Sequence, residues 1–256
     1  MFDPVSYVIG KNAGGGPSPT PAPEIVTFSS GTDEQIAALV EAAHKGTIDL
    51  QQYAGWAVGD VRTIQISAFT GGGNVSHAAQ SVDIVISSFD DYNSCGCVMQ
   101  FDFKDELATG ARMNSSNTNA GGWGNSEMKT TTMPALVNAL PSWLKGLLIE
   151  FSVLASAGSQ SSTIETVMGN KLALRSEVEI FGSTTHAKAG EGSQIPYYAT
   201  AANRIKKRGH SGSAGSWWER SPTGNGSGYF CRVDPSGSAR NGDASDAYGV
   251  APFGCI

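Results

Sequence analysis

The sequence predicts an α+β protein with many loops, and both composition and periodicity point to this fold class. Of its 256 residues, 40% are hydrophobic, which is enough for a sizeable core, whereas only 16% are charged and 32 are glycine. Few charges and many glycines are typical of short strands joined by long loops. Segments of helical spacing and segments of period two both occur along the chain. The length suits one large domain with a small appendage.

Residues 1–24 form the predicted appendage. "FDPVSYVIGK" is short and mildly apolar, and "NAGGGPSPTPAPE" is a Gly/Pro linker that is expected to be extended. A short apolar peptide before a flexible tether is typical of an attachment segment, and a frayed terminus is the alternative. The remaining residues, 25–256, are predicted to form the domain.

The first half of the domain contains one predicted helix and three predicted strands. In "GTDEQIAALVEAAHKG", Thr32 is a favourable N-cap, Gln35 completes a capping box, and Gly46 marks the end. "VRTIQISAF" and "SVDIVISSF" alternate between apolar and polar residues, so the turn "TGGGN" between them predicts a hairpin or meander. "CVMQFDF" is the third predicted strand.

The second half contains shorter elements. "MPALVNALPSWLKGLLIEF" predicts two apolar helices, with Pro141 in a first turn, and "SVLASAGSQSSTIETVMGNKLAL" predicts two strands around a serine-rich turn. "RSEVEIFG" predicts a short helix or turn. "PYYATAANRIKKRG" predicts a helix that ends at Gly209. "WWERSP", "GYFCRV" and "GVAPFGCI" predict three final strands.

Charge and hydropathy exclude several classes of partner. The net charge is −6 and no basic stripe is visible, which argues against nucleic acid. The densest basic run, Arg204, Lys206, Lys207 and Arg208, is expected to follow a helix C-terminus. No apolar run reaches the roughly 18 residues of a membrane span, so no membrane insertion is expected. "MFDPVSYVIGK" lacks the features of a signal peptide, which predicts a cytoplasmic product without classical export.

Catalytic and metal motifs are weak in this sequence. The four histidines, His44, His77, His186 and His210, stand in helix-end or loop contexts and are expected to be solvated. No P-loop, G-x-S-x-G or H-E-x-x-H motif occurs, although a hydrolase with paired carboxylates stays open. The cysteines, Cys95, Cys97, Cys231 and Cys255, are too few for a disulfide scaffold, and "CGC" does not have zinc-site spacing. We expect buried free thiols, no metal and no cofactor.

The most informative stretch is a polar tract at about 215–248, between a tryptophan pair and an apolar end. Rigid scaffolds with exposed loops commonly present binding residues. Trp217 and Trp218 are expected to belong to the scaffold. Period-two alternation predicts polar side chains on one face and Val or Ala on the core face. The candidate ligand-binding residues are Gly215, Ser216, Thr223, Asn225, Ser227, Tyr229, Arg232, Asp234, Ser236, Ser238, Arg240, Asn241, Asp243, Asp246 and Tyr248.

Several motifs carry a resemblance to a known family. "LRSEVEIFG", "WWERSP", "GYFCRV" and "GVAPFGCI" resemble the C-terminal half of C-type-lectin-like domains from phages and prophages of gut bacteria, which carry WW-x-RSP followed by G-V-x-P. The resemblance covers about residues 25–256 and is strongest over 172–256. It implies a C-type-lectin-like fold with short helices, antiparallel strands and long loops. "FDPVSYVIGKNAGGG" also resembles the start of small phage tail or baseplate proteins.

The resemblance implies diversification by a retroelement, for which this fold is the usual display scaffold. Such systems mutate adenines in a C-terminal repeat, and a mutated AAC or AAT codon cannot encode Lys, Glu, Gln, Met or Trp. These five types make up 39 of residues 1–222 and none of residues 223–256. The upstream frequency would give about six in that tract, although Gly/Ser composition alone can drift. An ordinary Gly/Ser loop is therefore the competing interpretation.

The function implied is a phage tail-tip or tail-fibre receptor-binding protein, located in the virion and without enzymatic activity. Its expected ligand is a bacterial surface protein or glycan, and its N-terminus would contact other tail or baseplate proteins. Homotrimers are common among such proteins. The Glu-Pro-Asn and Gln-Pro-Asp motifs of calcium-dependent lectins are absent, so binding without calcium is expected. The alternatives are an enzyme on the same fold, of the formylglycine-generating type with Cys231 and Cys255, and a purely structural baseplate subunit.

Overall fold

The computed structural model describes residues 21–256 and confirms the mixed α+β class. The predicted attachment peptide and most of its linker lie outside the described residues. The helices are α1 (Asp33–His44), α2 (Leu50–Ala54), α3 (Gly122–Asn125), α4 (Met133–Ala139), α5 (Ser142–Leu147) and α6 (Glu177–Phe181). The strands are β1 (Val61–Ile66), β2 (Phe69–Thr70), β3 (Ser76–His77), β4 (Gln80–Ser88), β5 (Gln100–Phe103), β6 (Phe151–Ser156), β7 (Ile164–Asn170), β8 (Trp217–Pro222), β9 (Tyr229–Val233), β10 (Ala239–Asp243) and β11 (Phe253–Cys255).

Helix α1 begins at the predicted capping box. The Gln35 amide donates to the Thr32 hydroxyl at 3.2 Å, and the Thr32 amide donates to the Gln35 side chain at 2.8 Å. Two of the N–H groups at this end of α1 are thereby satisfied. The apolar face of α1 packs against α5, and Gly46 takes the left-handed conformation just beyond the helix.

The main sheet is antiparallel and has the order β1-β4-β5-β11. In β1, Ile64 and Ile66 are buried while Thr63 and Gln65 are exposed, as the alternation predicts. The segment between β1 and β4 is more elaborate than one turn, because β2 and β3 form a small hairpin of their own. The last strand, β11, closes the sheet against β5.

The predicted helix over "PYYATAANRIKKRG" is wrong. Two 3-10 turns replace it, Pro196–Ala199 and Ala201–Arg204. The basic run begins with Arg204 inside the second turn and therefore does not follow an α-helix. Lys206 explains the difference, because its buried ammonium donates to the carbonyls of Phe103 at 2.6 Å and Lys104 at 3.0 Å. Burial lowers the pKa of Lys206 to about 8. Its packing against β5 therefore determines the local backbone path.

His77 also departs from expectation, since it is buried rather than solvated. Its ring stacks on Phe69 at 4.3 Å between centroids, and neither ring nitrogen has a hydrogen-bond partner among the described residues. Burial lowers the pKa of His77, which favours the neutral ring. His77 is thus a packing residue of the small hairpin.

One hydrophobic core connects the N-terminal helices with the last residue of the chain. It includes Phe28 before α1, Trp56 after α2, and Phe253 and Ile256 at the C-terminus, all almost inaccessible. The apolar segments pack into this core. Within residues 21–256, none of the helices has the length and hydropathy to cross a bilayer.

Candidate functional site

The polar tract lies on a second, three-stranded sheet of order β10-β9-β8. Both strand pairs are antiparallel, and β9 lies in the centre. Arg240 pairs with Arg232, and Asp243 pairs with Tyr229 at the far end of the β9–β10 hairpin. The hairpin thus determines which tract residues are neighbours.

The tryptophan pair belongs to the scaffold in this structure. Trp217 and Trp218 are both completely buried at the start of β8. The Trp217 indole N–H donates to the carbonyl of Arg204 at 3.0 Å, and that of Trp218 donates to the carbonyl of Ala111 at 2.8 Å. A buried indole with its donor satisfied fixes the position of the strand that carries it.

Arg220 anchors β8 more deeply. Its guanidinium is fully buried and forms two hydrogen bonds with the Glu179 carboxylate, at 2.6 and 2.9 Å. It also donates to the backbone carbonyls of Leu154, Leu174 and Glu191. The Tyr92 hydroxyl donates to the same Glu179 carboxylate at 2.5 Å. Separating the partners of such a buried pair would leave an uncompensated buried charge, which is strongly unfavourable. The network therefore holds β6, α6 and β8 in one arrangement.

Arg232 and Tyr248 form the outer face of the sheet, over Trp218. The Tyr248 ring meets Trp218 edge-on at 4.8 Å between centroids, and the Arg232 guanidinium lies 4.7 Å from the Tyr248 centroid. Arg232 donates to the Ser216 hydroxyl at 2.8 Å and to the Asn241 carbonyl at 2.9 Å. Both side chains are half-buried, so they pack as well as face solvent.

Asp234 organises the turn between β9 and β10. One of its carboxylate oxygens accepts from the amide and hydroxyl of Ser236, at 2.9 and 2.5 Å, and from the Ser238 amide at 3.0 Å. These hydrogen bonds, led by that of the Ser236 side chain, lower the pKa of Asp234. Ser236 and Ser238 are exposed at this end of the hairpin.

The loop between β8 and β9 contains one correction to the predicted surface. Thr223 is buried, not exposed, and its hydroxyl donates to the carbonyl of Gly226 at 3.2 Å. Asn225 and Ser227 are exposed, and Tyr229 is 41% exposed. Thr223 therefore shapes the loop from within instead of lining it.

The expected separation of one variable face from one core face is not found on β9. Phe230 is buried on the same face as Arg232, and Cys231 is buried on the same face as the exposed Tyr229. The physical reason is that β9 is a central strand, covered by Tyr248 and Trp218 on one side and by buried acidic residues on the other. Alternation alone cannot distinguish a central strand from one with a solvated face.

By exposure, the fifteen candidate residues comprise seven exposed residues, seven half-buried residues and the buried Thr223. They do not form one compact patch. The hairpin ends lie about 14 Å apart, because four residue steps separate them at about 3.4 Å each. Seven candidates are exposed: Asn225, Ser227, Tyr229, Ser236, Ser238, Arg240 and Asp246. Seven are half-buried: Gly215, Ser216, Arg232, Asp234, Asn241, Asp243 and Tyr248.

Gly215 lies against a charged side chain instead of open solvent. A Cβ atom at Gly215 would collide with the Glu106 carboxylate, which bonds Arg208 at 2.6 Å. Burial raises the pKa of Glu106 to about 7, against the opposing effect of Arg208. A side chain at position 215 would have to displace this pair, so Gly215 is constrained by packing.

A buried acidic cluster lies beneath the tract and is not among the predicted site residues. Glu219 is fully buried on β8, and neither of its carboxylate oxygens has a hydrogen-bond partner in the described part of the chain. Burial raises the pKa of Glu219 well above the usual range, and the neighbouring Glu177 and Glu191 raise it further. Ligand atoms of Glu177, Glu219 and Cys231 lie within 4.8 Å of one another. Its only sequence signal is a glutamate inside a strand whose other residues are predicted to pack.

Three of the four thiols meet in a second cluster, next to the last strand β11. The sulfur atoms of Cys95, Cys97 and Cys255 lie within 4.8 Å of one another. A hydrogen bond from Cys255 lowers the pKa of Cys95 to about 6, whereas burial raises that of Cys255. The fourth thiol, Cys231, is buried on β9, and burial raises its pKa as well. The expectation of buried free thiols holds for Cys97, Cys231 and Cys255, while Cys95 is half-buried.

The chain belongs to the family described as "Domain of unknown function (DUF6273)", whose sequence profile matches residues 100–256. The matched region starts at β5 and includes β8 to β11, and hence the whole polar tract. No curated protein and no solved structure shows significant similarity to the chain.

Proposed function

We propose that the protein is a phage virion component, at the tail tip or fibre, which attaches the particle to a bacterial surface protein or glycan. The tract at 215–248 supplies the binding residues on a C-type-lectin-like domain. The domain acts by adhesion rather than by chemistry. Repeated copies, as in a homotrimer, raise modest affinities by avidity, and the N-terminal peptide attaches the chain to the tail.

One observation carries this proposal: exposed polar residues of the tract project from a fully buried framework. Trp217, Trp218 and Arg220 are inaccessible, whereas Asn225 and Arg240, among others, reach solvent. A rigid framework with replaceable exposed residues is the arrangement that antibody paratopes use. The absence of five amino-acid types from residues 223–256 supports diversification of that surface.

Two features of the architecture are consistent with the proposed C-type-lectin-like fold. The last strand, β11, returns to the sheet that begins with β1, and the tract occupies a separate small sheet and its loops.

The enzyme alternative relied on Cys231 and Cys255 as reactive thiols. Both are buried and have raised pKa values, which disfavours the thiolate that such chemistry needs.

The test compares particles whose tail protein carries Asn225→Ala, Tyr229→Ala, Arg240→Ala and Asp246→Ala together with particles that carry the wild-type protein. Adsorption to the native host should fall strongly while the melting temperature of the purified protein stays within a few degrees. The matched control replaces four exposed residues outside the tract, Gln51, Ser162, Thr166 and Lys171, and should adsorb normally. Wild-type adsorption should also survive a calcium chelator. Intact adsorption of the tract variant would favour the structural-subunit alternative.

A further inference from the structure

We propose that Cys95, Cys97 and Cys255 form a binding site for one thiophilic d10 metal ion, Zn²⁺ or Cu⁺, with three thiolate ligands. The site is separate from the tract and does not depend on the proposed adhesive function. The "CGC" spacing and the lack of an accompanying His-x-x-x-His motif made a zinc site unexpected from the sequence. The fold supplies a third sulfur from Cys255, about 160 residues further along the chain and within 4.8 Å of the other two.

The backbone holds two of these sulfurs rigidly. Cys255 lies in β11 opposite Gln100, and its carbonyl accepts from the Ile149 amide at 2.9 Å. The Asp91 carboxylate holds the loop of Cys97 by accepting from the amides of Gly96 at 2.7 Å and Cys97 at 3.2 Å. Gly96 has a φ of 84°, a conformation that favours glycine and allows the two cysteines to turn toward β11.

Two hydrogen bonds fix the position of the Cys97 sulfur. The backbone amide of Tyr92 donates to it at 3.4 Å, in a buried position, and the Cys97 thiol donates to the Asp90 carbonyl at 3.8 Å. Both contacts hold the side chain where its sulfur lies within 4.8 Å of those of Cys95 and Cys255.

The distances require little rearrangement. With Zn–S bonds of about 2.3 Å, the sulfurs of a tetrahedral site lie about 3.8 Å apart, so the present cluster needs to contract by at most about 1 Å. Cys95 can supply this movement because it is half-buried on a loop. Binding of the ion releases the thiol protons, so that three neutral thiols become three thiolates around one cation.

The site is also accessible. A cavity of about 300 Å³ borders it and is lined by Cys97 and Asp91 together with Leu50 and Gln51 of α2. Of the three cysteines, Cys97 lines this cavity, which gives the ion a path to the cluster. A bound ion would tie the loop before β5 to the last strand of the same sheet.

The experiment uses the full chain, reduced and stripped of metal, with Co²⁺ as a spectroscopic probe for the Zn²⁺ arm. One equivalent of Co²⁺ should produce thiolate-to-cobalt charge-transfer absorption, and Zn²⁺ should displace it. In the second arm, Cu⁺ is titrated against a chromophoric chelator. Cys95→Ser should weaken binding at least about tenfold, a typical effect of losing a ligand or its support. Cys231→Ser, which removes the thiol outside the cluster, should bind like the wild type.

A second measurement needs no variant. Bound Zn²⁺ or Cu⁺ should protect Cys95 of the wild-type chain from alkylation by iodoacetamide, as read by peptide mass spectrometry. Saturable 1:1 binding of either ion with this dependence on Cys95 supports the proposal. Failure of both ions to bind with thiolate ligation, or equal binding by wild type and Cys95→Ser, overturns it. Loss of adsorption in the tract variants has no bearing on this result.

Discussion

Tyr248 was predicted to lie on the free surface, but in the structure it is a packing residue. The sequence predicts that Tyr248 and Arg232 are free of packing, yet Tyr248 covers Trp218 and supports Arg232. We expect Tyr248→Ala to destabilise the fold by about 1–3 kcal/mol, because it uncovers a buried indole. Arg240→Ala, at an exposed position of the same sheet, should change stability by less than about 0.5 kcal/mol. Chemical denaturation of both variants measures the difference. If Tyr248→Ala is as stable as Arg240→Ala, Tyr248 does not contribute to packing.

Glu219 gives a prediction about pH at the same scale. Its folded-state pKa is raised by burial and by Glu177 and Glu191, although Arg220 opposes the shift. The folded chain therefore holds a proton that the unfolded chain releases at the ordinary carboxyl pKa. Its contribution to stability is complete below that ordinary value and declines as the pH rises toward the folded pKa, by about 1.4 kcal/mol per pH unit.

Glu219→Gln should consequently raise stability at pH 8 and flatten its dependence between pH 5 and 8. Thermal melts of the two proteins at both pH values measure the effect. Glu177→Gln is a useful comparison, because the Glu177 carboxylate accepts from the amides of Thr185, His186 and Ala187 and its loss should destabilise at either pH. Since Glu177 also raises the pKa of Glu219, this variant should reduce the pH dependence as well. A wild-type protein that is equally stable at pH 5 and 8, with Glu219→Gln unchanged, would show that Glu219 is not a buried neutral acid.

The order of the β9–β10 hairpin depends on the side chain of Asp234. Asp234→Ala removes three hydrogen bonds at the turn, which should cost about 1–2 kcal/mol and increase amide hydrogen exchange in Ala239–Asp243. Ser238→Ala is a matched control, since within residues 21–256 the only side-chain partner of its hydroxyl is that of Ser236. If exchange in β10 rises equally in both variants, Asp234 does not hold the turn.

Elements with local signals could be predicted from the sequence, and those fixed by distant contacts could not. Thr32 and Gln35 lie three residues apart, so their capping box is visible in the sequence, and β1 alternates because one face of it is exposed. The 3-10 turns before Lys206 depend on carbonyls of β5, about one hundred residues away, and no local pattern reveals them. The sequence pattern of β9 is also misleading. Its residues alternate like those of a half-exposed strand, although both of its faces carry buried side chains.

The candidate site shows this limit at the scale of the whole molecule. The buried tryptophans and exposed loop residues were predictable because composition separates them. The burial of Thr223, the isolated carboxyl of Glu219 and the meeting of Cys95 with Cys255 all arise from chain segments brought together by the tertiary fold. The C-terminal strand β11 joins the main sheet and brings Cys255 to Cys95, and the stability of the whole domain should depend on this strand.

Removal of residues 253–256 tests this dependence. Phe253 and Ile256 are completely buried, and the Ile256 carbonyl accepts from the amides of Val98 and Met99, both at 2.9 Å. Loss of a buried Phe costs about 3–5 kcal/mol and of a buried Ile about 2–5 kcal/mol, which together approach the 5–15 kcal/mol that stabilises a typical protein. We expect the truncated chain, with reductant and chelator present to exclude metal effects, to show no cooperative thermal transition. Phe253→Leu, which keeps most of the buried volume, should still melt cooperatively. A truncated chain that melts at the wild-type temperature would mean that β11 is an appendage to a core that folds without it.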